Sequence, residues 1–159
     1  MNNDQQGSFS IREYDPMVLA LTDMNTSDSR GNSSFMKLFK YIDGNNHNNS
    51  KIAMTTPVFM HPDNRMSFVL PKENRDTPPE PLSTDVTIES VEAFTAAVVS
   101  FNGRLNKSLV NTHTQELRAW IVQKGLEENG ETILAQYDPP WTPGPMRKNE
   151  IIIPIVSTK

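Results

Sequence analysis

A chain of 159 residues with 36% hydrophobic and 21% charged side chains is sized and composed for one globular domain, which excludes a disordered tail and a membrane-embedded bundle. A net charge of −4 and a pI near 5.3 supply no diffuse basic field, so nucleic acid is not expected as a partner. The absence of cysteine removes disulfides, thiolate catalysis and Cys-ligated metal centres.

The first residues, Met1 to Ser8, are polar and lack the positive and apolar regions of a secretory signal. No apolar run approaches the ~20 residues that a bilayer-spanning helix needs, so a soluble, cytoplasmic protein without a membrane span is expected. Phe9 and Ile11 alternate with Ser10 and Arg12, and Met17 to Leu21 follow Tyr14-Asp15-Pro16 as an apolar run, which predicts two strands joined at a proline turn. A polar connector over 23–34 leads to a short helix from Phe35 to Gly44. Its predicted buried stripe is Phe35, Leu38, Phe39 and Ile42, with Ser33 or Ser34 as cap and Gly44 as stop.

An Asn-rich loop, Asn45 to Ser50, precedes Lys51-Ile52-Ala53-Met54-Thr55-Thr56-Pro57-Val58-Phe59-Met60, which reads as a strand with an edge or bulge at Pro57. The turn residues His61 to Asn64 and the alternating Arg65 to Leu70 complete a hairpin. Residues 71–81 are charged and proline-rich and mark a boundary between halves. Strands are then expected at Val86–Glu89 and Phe94–Val99, followed by a helix from about Leu109 to Lys124. That helix has Ser108 as cap and a stripe of Val110, His113, Leu117, Trp120 and Ile121. Thr132–Tyr137 and Ile151–Ile155 supply the last two strands. Strand–strand–helix–strand–strand is thus expected twice, over about 9–71 and about 84–156. The pattern predicts a single α+β domain over 1–159 with pseudo-twofold symmetry from an internal duplication.

Chemistry is sparse along this chain. His47 lies in the Asn-rich loop and His61 before Pro62, where solvated decoration is the commoner role. His113 falls on the apolar stripe of the long helix, a position open to a metal ligand but more often filled by a histidine hydrogen-bonded inside a core. No metal-ligand spacing, Gly-x-Ser-x-Gly, phosphate loop or dinucleotide fingerprint occurs, so no protein-built metal site and no catalytic residue is expected. Glu89 with Glu92 and Glu127-Glu128 read as solvated charges. Eight methionines, among them Met36, Met54, Met60, Met66 and Met146, suit either a pocket for a flat apolar ligand or an irregular core. Lys37, Lys40, Arg147 and Lys148 are cations able to pair with ligand carboxylates.

Several segments, in order, resemble the SOUL haem-binding protein family: Tyr14-Asp15-Pro16, Phe35 to Gly44, Lys51 to Val58, Met66 to Pro71, Pro78 to Pro81, Phe101-Asn102-Gly103, Tyr137 to Pro140 and Arg147 to Ile151. The resemblance implies a distorted antiparallel eight-stranded barrel with two helices, similar to the effector-binding domains of bacterial transcription regulators. It also implies binding of haem or another planar tetrapyrrole, non-covalently, in an apolar cleft. Carried onto this chain, the apolar wall is Phe35, Leu38 and Phe39, with Lys40 for a propionate and Tyr137, Trp141 and Arg147 near the far rim. The first helix has no histidine, so iron ligation is expected to be weak or absent, with His47 or His113 as the axial candidates. Two other readings stay open: a general small-molecule effector-binding domain, and a hydrolase, which would require a Glu buried in the cleft.

Overall fold

A computed structural model describes residues 8–23, 32–44, 46–53, 57–62, 64–82, 84–138 and 142–157, with the backbone alone for 32–35 and 157. Among the described residues the elements are β1 (Ser8–Tyr14), β2 (Met17–Asp23), α1 (Asn32–Ile42), β3 (Val58–His61), β4 (Arg65–Val69), β5 (Thr87–Val91), β6 (Phe94–Asn102), α2 (Lys107–Gln123), β7 (Leu126–Glu128), β8 (Ile133–Gln136) and β9 (Lys148–Ser157). With two helices and antiparallel strand pairs, the chain is α+β as expected. It divides into a continuous unit, Pro16–Glu92, and a discontinuous one, Met1–Asp15 with Ala93–Lys159.

In the continuous unit β2 runs between β4 and β5, with Ala20 opposite Phe68 on one side and Ile88 on the other, and β3 extends the sheet beyond β4. Consecutive residues Met17 to Thr22 are all buried, so both faces of this strand are covered. Helix α1 packs Leu38, Tyr41 and Ile42 onto Val18, Ala20, Met66, Phe68 and Leu70. Burying a side chain such as Leu38 stabilises by about 1.5–3 kcal/mol. Gly44 ends the helix at φ 109°, a left-handed value that a side chain would strain. The helix begins at Asn32, which puts Ser33 and Ser34 in its first turn instead of at its cap.

The expected strand over 51–60 is shorter than its apolar pattern suggests. Lys51 forms an isolated bridge with Asp43, Met54 to Thr56 lie outside the described residues, and the ladder opens only at Val58. Pro57, with no N–H to donate, stands at the point where regular pairing begins. The proline-rich stretch after β4 lies inside the continuous unit, with Pro79 buried.

In the discontinuous unit β6 is flanked by β1 and β9, with Ile11 opposite Ala97 and Val98 opposite Ile152. The other edge of β9 takes β8 over Asn149–Ile152 and β7 over Ile155–Ser157. Strand β7 contains Glu127-Glu128, both exposed as solvated charges are; the Gly125 turn, at φ 71°, reverses the chain so that they run along β9. Helix α2 lays Leu117 and Ile121 on Ala97, Val99, Ile151 and Ile153. Its cap is Asn106, whose Oδ1 accepts from the Leu109 N–H at 2.8 Å, so the cap lies two residues before the expected Ser108.

Candidate functional site

Around α1 the side chains divide by arc. Leu38, Tyr41 and Ile42 face the core, whereas Met36 is 47% and Phe39 37% exposed, and Lys40 is also exposed. Phe39 therefore does not join the predicted buried stripe, and Tyr41 takes that role. The Tyr41 hydroxyl donates to the Pro79 carbonyl at 2.5 Å, and burial pushes its pKa up to about 12.

Asn46 fixes the loop after the helix. Its side chain, 1% exposed, donates to the carbonyls of Tyr41 and Ser50, both at 2.9 Å, and accepts from the Asn48 and Ser50 N–H groups. Asn46 also bridges to Pro81, and the His47 N–H donates to the Glu80 carbonyl at 2.9 Å. These bonds hold segment 79–81 beside α1. A hollow of about 340 Å³ lies there, lined by Lys37, Lys40, Tyr41, Pro81, Leu82, Asp85 and Val86. That volume is at the small end of the roughly 300–1,000 Å³ typical of ligand sites. Its walls are an aromatic ring and aliphatic groups, and its rim carries two ammonium groups and one carboxylate.

Of the residues expected at a site, Lys40 lines this hollow, and Leu38 is sealed in the core at 0% exposure. The Phe35 side chain and Trp141 lie outside the described residues. Lys37 was singled out only as a flanking cation, and Tyr41, Leu82, Asp85 and Val86 were missed. Tyr41 was legible as the residue three after Leu38, but the distant segment 81–86 is brought to α1 by contacts that no local pattern displays.

His47 is exposed on the loop. His113 is 3% exposed, stacks on Phe101 with ring centres 4.1 Å apart, and has Nδ1 2.9 Å from Glu116 Oε1, as a core histidine does. His61 Nε2 lies 2.8 Å from Ser67 Oγ, and Ser67 is fully buried. Among the described residues no group of three or more His, Asp or Glu side chains is placed to hold a metal ion.

Tyr137 and Arg147 belong to the discontinuous unit. The Arg147 Nε–H donates to the Thr142 carbonyl at 2.8 Å. Tyr137 donates to Glu150, a carboxylate only 2% exposed on β9. Arg12 reaches the same carboxylate from β1 with two N–H bonds of 2.8 and 2.5 Å, and Ser100 Oγ adds a third donor at 3.1 Å. Burial alone would push the Glu150 carboxyl up. The Arg12 and Tyr137 hydrogen bonds, the Arg12 charge and Ser100 outweigh it and hold the group below its ordinary value. Burial and the bond to Glu150 push the Tyr137 phenol well up. Glu150 escaped the sequence reading, although a lone carboxylate beside Ile151-Ile152-Ile153 was a visible irregularity.

A family described as SOUL heme-binding protein matches residues 1–154. Heme-binding protein 2 of Homo sapiens is 36% identical over 111 residues, covering 62% of this chain and 54% of its own length. Heme-binding protein 1 of Xenopus laevis is 24% identical over 156 residues, covering 91% and 82%. The chain thus spans about half the length of the human relative that it matches. Among solved structures, the EcmrR C-terminal domain superposes with a TM-score of 0.68 at 12% identity, over 96% of this chain and 99% of that one. A hydrolase from Listeria innocua gives 0.66 at 11%, over 93% and 91%. Those two likenesses show a shared fold. From the match over 1–154, the chain belongs to the SOUL heme-binding protein family.

Proposed function

We propose that this protein is a non-enzymatic binder or carrier of haem or a related planar tetrapyrrole, held non-covalently at the hollow beside α1. The observation that carries the reading is the pairing of an apolar wall, from Tyr41, Leu82 and Val86, with Lys37 and Lys40 on one rim. Two ammonium groups suit the two propionates of a porphyrin, whose apolar ring meets the wall. The names of the human and Xenopus relatives point to the same ligand.

Iron ligation has little to work with at this hollow. Among the described residues none of its lining side chains is histidine or methionine, and the Tyr41 hydroxyl is committed to Pro79. Contact and propionate pairing therefore supply the affinity, with Phe39 as a further apolar contact and His47 as the candidate for a weak axial one. Glu150 is buried, but it does not line this hollow and is bound to Arg12, Tyr137 and Ser100.

A haemin titration followed at the Soret band, repeated with metal-free protoporphyrin, tests the proposal. Saturable one-to-one binding of both is expected, weakened up to roughly fivefold by Lys37→Ala or Lys40→Ala because exposed ion pairs contribute about 0.2–1 kcal/mol. Non-stoichiometric broadening, or affinity untouched by both substitutions, would overturn it.

A further inference from the structure

Seven large hydrophobic side chains are exposed among the described residues; two of them, Met36 and Phe39, stand on α1, and a third, Leu82, lines the hollow beside that helix. At about 100° per residue, Phe39, Met36, Lys40 and Lys37 are successive positions around the outer arc of the helix, and together they span about 160°. Leu82, 50% exposed, faces the same hollow as both lysines. Helix α1 contains no acidic residue, so its outer arc is locally cationic on a chain whose net charge is −4. Among the described residues Asp85 is the one carboxylate lining the hollow, and Asp43, just past the helix, lies 3.7 Å from Lys51.

The geometry points to docking of this face, the outer arc of α1 with Leu82, on an anionic lipid surface. Apolar side chains interleaved with lysines match an interface that is anionic at its headgroups and apolar beneath. Phe39, Met36 and Leu82 enter the acyl boundary, while the Lys37 and Lys40 stems lie along it and carry their charges back to the phosphates. An acidic protein surface would satisfy the lysines and leave three exposed apolar groups to find pockets of their own. The inference goes beyond tetrapyrrole binding and does not depend on it.

Flotation of the ligand-free 159-residue protein with phosphatidylcholine vesicles, with and without phosphatidylserine, tests the docking. Binding is expected to the phosphatidylserine vesicles, to fall as salt rises, and to weaken roughly fivefold for each of Lys37→Gln and Lys40→Gln. Because the chain has no cysteine, Met36→Cys and Val122→Cys can each carry a polarity-sensitive fluorophore. The label at 36 is expected to shift to the blue with anionic vesicles, and the label on α2 to stay unchanged. Equal binding to both vesicle types, no binding at low salt, or the same shift at both labels would overturn the proposal. Haemin titration without vesicles reports separately on the ligand, so either reading can fail while the other stands.

Discussion

Replacing Arg12 by Met leaves the Glu150 carboxylate buried with Tyr137 and Ser100 but without a countercharge. Removing one partner of a buried ion pair typically costs about 3–5 kcal/mol. The Arg12 side chain is 37% exposed against 2% for Glu150, so water already screens the pair from one side. That screening brings the cost to the bottom of this range or just under it, about 2–3 kcal/mol, or a fall in Tm of about 5–10 °C for a chain of this size. The sign of the pH dependence follows from the direction of the Glu150 shift. In the wild type its pKa lies below the ordinary value of 4.5, so its contribution is present above that value and is lost as pH falls through the folded pKa. In the variant, burial is no longer opposed by Arg12 and pushes the carboxyl up. Its cost is then full near neutrality and disappears on acidification. Urea unfolding at about pH 7 and about pH 4 should therefore show the gap between the two proteins narrowing in acid, and Arg12→Met/Glu150→Met should recover part of the loss. A gap under about 1 kcal/mol at neutrality, or one unchanged in acid, would refute the reasoning.

Asn46→Ala strips four hydrogen bonds from the loop after α1 and is expected to cost about 2–3 kcal/mol, with faster amide exchange at Ser50. Leu38→Ala opens a cavity under α1 and should lower stability by about 2–5 kcal/mol in the same urea assay. Tyr41 should ionise at about 12 in a spectrophotometric titration. Its raised value stabilises the fold below the ordinary phenol pKa of about 10 and is lost as pH climbs toward the folded value, an alkaline slope that Tyr41→Phe removes.

The strands and helices were legible wherever one face repeats with a clean period. Met66, Phe68 and Leu70 alternate and all three are buried, and Leu117 and Ile121 on α2 sit where the helical stripe puts them. Local pattern failed where a residue's role depends on something far along the chain. Helix phase places Tyr41 with Leu38 and Ile42, but the partner of its buried hydroxyl, the carbonyl of Pro79, lies 38 residues away. Glu150 is intelligible only with Arg12, 138 residues earlier. Composition left Met66 and Met36 alike open to a pocket or a core, and the fold parts them, Met66 filling the core and Met36 facing water. Of the site, Lys37 and Lys40 could be read as cations on α1, while the opposite bank, 81–86, required the fold.

The first strand has to wait for its partners. Ser8 to Tyr14 pair with Ser100 to Phe94, residues made 80 to 92 positions later, and the Arg12 bond to Glu150 needs almost the whole chain. The continuous unit can close once Glu92 has emerged from the ribosome, whereas β1 has already been outside for most of that time with both edges bare. A permuted chain that begins at Pro16 and carries β1 after Lys159 should therefore leave a smaller aggregated fraction during cell-free synthesis than the natural order, because no strand of the discontinuous unit would then be released so far ahead of its neighbours.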